Sequence, residues 1–181
     1  MSGQRVHIRP ITPADTEKIV GWRNKDFVRK NFIYQKPFTV EGHNVWLREQ
    51  VEPGHVAQFI ICLEDGAEIG SVYLRDIDRD AGTAEYGVFI GEEKALGKGF
   101  GMRAAELMLD YGFETLHLKK IFLRYIEGNE SARKSYEKAG FHMIEGRRDT
   151  VRLEQGMKDV LFMEIERGAW ESEKRLGMEK G

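Results

Sequence analysis

The sequence predicts an α+β fold in which helices flank a mixed, mostly antiparallel central sheet. Three short apolar strands, at residues 57–63, 69–77 and 84–90, are separated only by tight turns such as Asp65-Gly66. Strands joined in this way pair antiparallel. The rest of the chain has the order strand, helix, strand, helix, strand, strand, and a helix between neighbouring strands requires one parallel crossover. These two observations define the fold class.

The N-terminal part is predicted to hold a short strand at residues 6–9 and then helices. Thr12-Pro13-Ala14-Asp15 places a capping residue, a proline at the first helical position and an acid at the third, which is typical of a helix start. A short helical turn is expected at residues 26–31. Thr39 predicts another helix start, and Pro53-Gly54 ends that helix.

The C-terminal part supplies the crossover. We predict a helix through residues 105–113, a strand at 120–126 and a helix at 129–139 closed by Gly140. Residues 141–147 and 158–166 are expected to form a final hairpin. Residues 1–170 then form a single domain, and residues 171–181 form a charged, fraying C-terminal tail.

The composition restricts the function classes. The formal net charge of -2 argues against a nucleic-acid partner, and no stretch approaches the ~20 apolar residues of a membrane span. The single cysteine, Cys62, cannot form an internal disulfide, and no signal peptide is visible, so a cytoplasmic location is expected. The five histidines have no ligand spacing, so no metal is predicted.

A glycine-rich loop, Gly97-Lys98-Gly99-Phe100-Gly101, lies between a predicted strand and a predicted helix. Glycines let backbone N–H groups approach an anion, and the helix N-terminus adds partial positive charge. A Walker-type loop needs Ser or Thr after Gly-Lys, but Gly99 follows here. A dinucleotide fold needs an acid about twenty residues later, where this chain has Lys119-Lys120. Both alternatives are rejected.

A second motif runs from Asn129 to Phe141. Asn129 is a natural N-cap, and Ala132 and Tyr136 share one face of the helix that it starts. A tyrosine on an inward face is more often a core residue than a catalytic one. By itself, this motif therefore leaves both roles for Tyr136 open.

Together the two motifs resemble those of the GNAT superfamily of N-acetyltransferases. The family loop has the form Arg/Gln-x-x-Gly-x-Gly/Ala, and this chain has Lys94-Ala95-Leu96-Gly97-Lys98-Gly99. The later family motif, Asn-x-x-Ala-x-x-x-Tyr-x-x-x-Gly-Phe, is matched at every named position from Asn129 to Phe141. The resemblance covers about residues 6–165. Lys94 departs from the family pattern: it keeps a positive charge but lacks the fork of donors that an arginine offers.

The resemblance implies a sheet that splays into a V-shaped cleft, with acetyl-CoA as the cosubstrate. Gly87 would allow a bulge in the cleft strand. Backbone N–H groups would hold the CoA diphosphate, the cleft strand would pair with the pantetheine amides, and the later helix would hold the arm and the sulfur end. The implied CoA-binding residues are Val88, Phe89, Ile90, Leu96, Gly97, Lys98, Gly99, Phe100, Gly101, Met102, Asn129, Ala132, Lys134 and Tyr136, with Lys138 a further candidate.

The chemistry of acetyl transfer assigns expected roles. The acceptor amine must lose a proton, the thioester carbonyl must be polarised and the leaving thiolate must be protonated. Tyr136 is the expected acid that protonates the thiolate. A backbone N–H around Phe89 is the expected hydrogen-bond donor to the carbonyl, and Glu85 is the expected base. Tyr86 is a lesser candidate for the base. Cys62 lies in an apolar run, where thiols are inert.

The acceptor is predicted to be a small primary amine. The chain resembles a branch that includes ribosomal-protein N-terminal, spermidine and amino-sugar acetyltransferases. An amino sugar is favoured over a polyamine, for which Asp76, Asp78 and Asp80 could supply an acidic cluster. Two alternatives stay open, a protein N-terminal acetyltransferase and a non-catalytic CoA-binding module, as does a homodimer. The predicted acceptor-binding residues are Trp22, Arg23, Phe32, Tyr34 and Glu85.

Overall fold

The computed structural model describes residues 4–180. Their strands form one seven-stranded sheet in the order β1-β2-β3-β4-β5-β7-β6. All neighbours pair antiparallel except β4 and β5, which are parallel, so the predicted fold class and single crossover are confirmed. The strands are β1 Val6–Pro10, β2 Ala57–Leu63, β3 Glu68–Asp78, β4 Thr83–Ile90, β5 Lys120–Ile126, β6 His142–Leu153 and β7 Gly156–Glu166.

Three short helices follow β1, and both predicted helix starts are present. They are α1 Thr16–Arg23, α2 Asp26–Arg29 and α3 Val40–Trp46, with a 3-10 turn at Pro13–Asp15 and a π-helical turn at Leu47–Val51. Asp15 accepts a hydrogen bond of 2.8 Å from the Thr12 N–H, and Thr39 Oγ1 accepts one of 3.0 Å from the Gly42 N–H. These caps satisfy N–H groups that have no partner inside the helix.

The remaining helices are α4 Phe100–Asp110, α5 Glu130–Lys138 and α6 Arg167–Glu179, with a π-helical turn at Tyr111–Thr115 after α4. Successive side chains of each strand point to opposite faces of the sheet, so the apolar residues form two separate cores. The larger core packs α4 and Phe113 against side chains such as Leu74 and Leu123. The smaller core packs Ile19 of α1 against Ile60 on the other face. The sheet is therefore covered by α1–α3 on one face and by α4 and its neighbours on the other.

The charged C-terminal end is helical rather than loose. Trp170 of α6 packs against Phe113, with ring centroids 5.1 Å apart, and its indole N–H donates to Asp110. Lys174 Nζ lies 3.0 Å from both Asp110 and Glu114. Residues 171–179 therefore continue a helix that one tryptophan and one lysine attach to the end of α4.

The cleft in the sheet opens between β4 and β5. Their parallel pairing runs only from Thr83 to Glu85 on β4, and β5 continues beside β7 to Ile126. Gly87 is not bulged, because it lies opposite Tyr73 in regular register with β3. A Cβ at Gly87 would lie 2.3 Å from Tyr73 Cζ, so the tyrosine ring, rather than a bulge, requires glycine here. The register shift in this hairpin falls between Arg75 and Asp78.

Candidate active site

A cavity of about 1080 Å³ lies at the gap between β4 and β5. Its walls come from both faces of the sheet. Leu96, Asn129 and Tyr136 line it from the side of α4 and α5, whereas Arg23 and Glu85 line it from the side of α1–α3. Two ligands that enter from opposite faces would therefore meet at the gap.

The backbone of β4 presents free hydrogen-bonding groups along this gap. The Gly91 N–H donates to the Ile69 carbonyl at 2.7 Å, and opposed pairs in an antiparallel ladder alternate between bonded and non-bonded. The N–H of Phe89 is therefore directed at β3, whereas those of Val88 and Ile90 are directed toward the gap, where no described strand pairs with them. Of the N–H groups around Phe89, those of Val88 and Ile90 therefore face the gap and that of Phe89 does not. All three residues line the cavity.

The glycine loop has the backbone conformation that an anion cradle needs. Gly97 and Gly99 have φ values of +71° and +80°, and Gly99 caps the N-terminus of α4. The first N–H groups of α4 have no partner within the helix, and its dipole is positive at this end. Of the seven predicted loop residues, six line the cavity, and Lys98 does not. The Lys98 side chain thus takes no part in the cavity wall.

Helix α5 contributes the wall opposite the loop. Asn129 Oδ1 accepts from the Ala132 N–H at 3.3 Å, so the amide group of Asn129 keeps its Nδ2 donors for a ligand. Lys134 and Lys138 also line the cavity. Arg133 instead pairs with Glu130 and Glu137 on the solvent side of the helix. The lysines, together with the glycine loop, give this half of the cavity a positive lining suited to phosphates.

Tyr136 lies among aromatic rings at the gap. Its ring makes edge contacts with Tyr86 and Tyr125, both at centroid distances of 6.1 Å, and with Phe141 at 6.2 Å. Burial raises the pKa of Tyr136 above its ordinary value. The phenol therefore keeps its proton at neutral pH, which is the state that a proton donor needs.

Glu85 lies between two arginines on the opposite face. It accepts hydrogen bonds from Arg75 at 3.0 and 3.1 Å and from Arg124 at 2.8 and 3.4 Å. Glu85 is only 7% exposed. The β3–β4 register places Arg75 opposite Glu85, and Arg124 lies on β5, the strand on the other side of β4. The carboxylate therefore holds two guanidinium groups on the α1–α3 side of the gap.

Arg23 is the second notable charge on this face. Its guanidinium carbon lies 3.3 Å from the Phe32 ring centroid and 4.3 Å from that of Phe38. Phe32 and Tyr34 also line the cavity. Together these residues form a largely aromatic wall around one buried cation.

Trp22, which the sequence predicts to shape the acceptor pocket, lies outside the cavity. Trp22 is 3% exposed and belongs to the smaller core, and it does not line the cavity. Its indole N–H donates to Glu92 at 2.6 Å, and its ring packs on Gly91, where a Cβ would lie 2.2 Å away. Successive residues on a helix are about 100° apart, so only Arg23 of this pair is directed into the cavity.

Sequence reasoning missed three polar residues that line the α1–α3 side of the cavity, Tyr73, Arg75 and Arg124. Alternation was the available signal, because Tyr73 and Arg75 are two apart on β3 and share the face of Glu85. Their position could not be derived without the hairpin register. Asp76 has a φ of 49° and lies within the register shift, which sequence patterns did not reveal.

Other groups lie outside the cavity or form no site. Cys62 is buried in the smaller core, and burial raises the pKa of its thiol. Asp76, Asp78 and Asp80 do not line the cavity. Within residues 4–180, no group of three or more His, Cys, Asp or Glu side chains is arranged to hold a metal ion. None of the helices in that range combines the length and apolar character required to traverse a membrane.

Fold and site together define an acyltransferase with a two-sided cleft, and comparison with known proteins identifies the family. The sequence model of the acetyltransferase (GNAT) domain matches residues 5–142. The protein therefore belongs to the GNAT family and is an acetyl-CoA-dependent N-acetyltransferase. The glycine cradle, the lysines of α5 and the unpaired edge of β4 fit the diphosphate and amides of CoA.

Among its relatives is a probable N-acetyltransferase, YjcK, of Bacillus subtilis, which is 30% identical over 174 residues, or 91% of this chain and 96% of the relative. Spermidine N(1)-acetyltransferase of Escherichia coli K12 is 32% identical over 150 residues, or 80% and 76% of the two chains. A crystal structure of spermidine N-acetyltransferase from Vibrio cholerae with CoA and spermine superposes with a TM-score of 0.84, at 22% identity, over 91% of this chain and 97% of that one. The shared architecture confirms the fold.

Proposed function

We propose that this enzyme acetylates the primary amine of a small molecule by direct attack in a ternary complex. The observation that carries the proposal is the two-sided cavity. CoA would enter from the face of α4 and α5, and the acceptor would enter from the face of α1–α3. No covalent enzyme intermediate is required, because both substrates reach the β4–β5 gap at the same time.

The residues at the gap can support each part of the reaction. The neutral amine attacks the thioester carbonyl carbon, and the carbon–sulfur bond breaks as the amide forms. The Val88 N–H donates to the carbonyl oxygen as negative charge develops there. Glu85 accepts the ammonium proton through water before the attack. Tyr136 donates its proton to the departing sulfur, and the resulting phenolate takes up the proton that the nitrogen loses as the amide forms.

The relatives and the cavity support two candidate classes of acceptor. The spermidine acetyltransferases named above make a polyamine one candidate. An amino sugar is the other candidate that we retain, because aromatic side chains such as Phe32 and Tyr34 line the acceptor half. Acetyl-CoA-dependent thiol release should be measured with amino sugars, polyamines, amino acids and peptides. Release with none of them would contradict the proposal, and release with peptides alone would favour protein acetylation.

Glu85→Gln tests the base. We expect kcat/KM to fall by about 100-fold, since positioned proton transfer contributes on that order. The amide still accepts from one arginine, so a thermal melt separates catalysis from stability. If kcat/KM were unchanged in a folded variant, Glu85 would serve only to hold Arg75 and Arg124.

Gly97→Ala tests the phosphate cradle. An alanine at φ +71° is strained, at a cost of about 1–2 kcal/mol, and relief of that strain would turn N–H groups away from the diphosphate. We expect the Kd for acetyl-CoA, measured by calorimetry, to rise by about tenfold. Gly66→Ala is the matched control, because Gly66 has a φ of +83°, would also have no atom within 4 Å of an added Cβ and lies in the β2–β3 turn. An equal loss of affinity in both variants would contradict the cradle.

A further inference from the structure

The acceptor half of the cavity contains a buried cation without a partner. Arg23 is 6% exposed, and its Nη1 has no hydrogen-bond partner among the described residues. A buried, unsatisfied donor on a charged group is costly. Burial lowers the pKa of Arg23 to about 10, and the nearby groups that oppose this shift are the phenols of Tyr73 and Tyr34 rather than any carboxylate. The guanidinium therefore remains charged at neutral pH without a counter-ion.

The aromatic contacts of Arg23 do not supply the missing acceptor. Phe32 and Phe38 attract the positive charge through their ring faces. A ring face offers no oxygen to the N–H groups in the guanidinium plane, which form a fork that matches a carboxylate or a phosphate. The wall is thus apolar where it contacts the faces of the guanidinium, and it leaves the Nη1 donor of Arg23 without an acceptor.

The charged side chains that line this half of the cavity carry a net positive charge. Arg23, Arg75 and Arg124 line it, and Glu85 is the single carboxylate in the described cavity wall. Glu85 is already held by Arg75 and Arg124. A polyamine would therefore meet an excess of positive charge and no free carboxylate, and like charges in a partly buried site repel strongly.

We propose that the acceptor carries an anionic group, a carboxylate or a phosphate, which Arg23 binds while the amine of the same molecule lies at the β4–β5 gap. This inference rests on the proposed function, since it names the class of acceptor for the same site. Arg23 is then a specificity-determining residue that selects amino acids or phosphorylated amines over polyamines. The anion would supply the acceptor that Nη1 lacks.

Matched amines test the inference. Lysine and cadaverine differ by a carboxylate, and glucosamine 6-phosphate and glucosamine differ by a phosphate, so the two pairs distinguish the two sources of charge. We expect kcat/KM, measured by thiol release, to favour the anionic member of at least one pair by on the order of 10- to 100-fold. Preference for the member without the anion in both pairs, or no preference in either, would overturn the inference and leave acetyl transfer itself intact. The absence of release with every amine would overturn both.

Arg23 variants locate the effect. Arg23→Gln should bring the ratio within the favoured pair close to one, mainly through KM for the anionic member, and Arg23→Lys should give an intermediate ratio because it keeps the charge but loses the fork. Arg29→Gln is the control, since Arg29 pairs with Asp26 and does not line the cavity. Thermal melts identify folded variants, and the lysine variant carries the test if the glutamine variant does not fold. A ratio unchanged from wild type in either folded variant would refute the role of Arg23.

Discussion

Tyr136→Phe is expected to lower kcat by about 10²- to 10⁴-fold, the contribution typical of a positioned general acid. The substitution removes one oxygen and keeps the ring that packs against Tyr86, Tyr125 and Phe141. The Kd for acetyl-CoA and the melting temperature should therefore change little. Since burial raises the pKa of Tyr136 above 10, its ionisation should cause no fall in wild-type kcat below about pH 10.

The matched control is Tyr111→Phe. Tyr111 packs on Phe59 at a centroid distance of 5.0 Å and does not line the active-site cavity, so loss of its hydroxyl should leave kcat unchanged. The rates must be compared under single-turnover conditions, where acetyl transfer rather than product release is observed. Equal single-turnover rates in wild type and Tyr136→Phe would show that Tyr136 is not the acid.

Gly70→Ala is expected to destabilise the fold more than the alanine substitutions at Gly21, Gly66 and Gly97. A Cβ on Gly70 would lie 2.1 Å from the carbonyl oxygen of Phe89 and 3.0 Å from Ile90 Cα, so the main chains of β3 and β4 would have to separate. Overpacking of this kind costs about 3 kcal/mol, and the melting temperature should fall by about 6–12 °C. Because Ile90 borders the cleft, the affinity for acetyl-CoA should fall as well.

Gly21→Ala provides the control of opposite sign. Gly21 is exposed within α1, and no atom would lie within 4 Å of a Cβ there. Alanine lowers the backbone entropy of the unfolded chain and favours the helix, so a gain of about 0.5–1 kcal/mol is expected. Thermal or urea unfolding of the two variants measures both effects. If Gly70→Ala were as stable as wild type, the close approach of β3 and β4 would not constrain residue 70.

Local signals in the sequence were sufficient for much of the cofactor half. The caps at Thr39 and Asn129 involve residues only three apart, and the glycine loop depends on the conformational freedom of Gly97 and Gly99. Strands β2 and β5 are short apolar runs with the predicted bounds of 57–63 and 120–126. Each of these features is determined by near neighbours in the chain, which a sequence displays directly.

The acceptor half was less predictable, because its residues come together through strand register and helix packing. Whether Trp22 or Arg23 lines the cavity depended on the orientation of α1 about its axis, because both residues are buried. Arg75, Glu85 and Arg124 come from three strands and meet only after β3, β4 and β5 are aligned. A shift of one residue at Asp76 would have turned the β3 side chains to the other face.

The sequence by itself determined the family, the order of strands and helices and the loop and cap that a CoA molecule needs, because these rest on contacts between residues close together in the chain. Only the tertiary structure decided which backbone donors face the cleft, which side chains line the cavity on the side of α1–α3 and which charge is left without a partner. Those properties belong to the gap between two diverging strands, and such a gap exists only when distant segments have packed against one another.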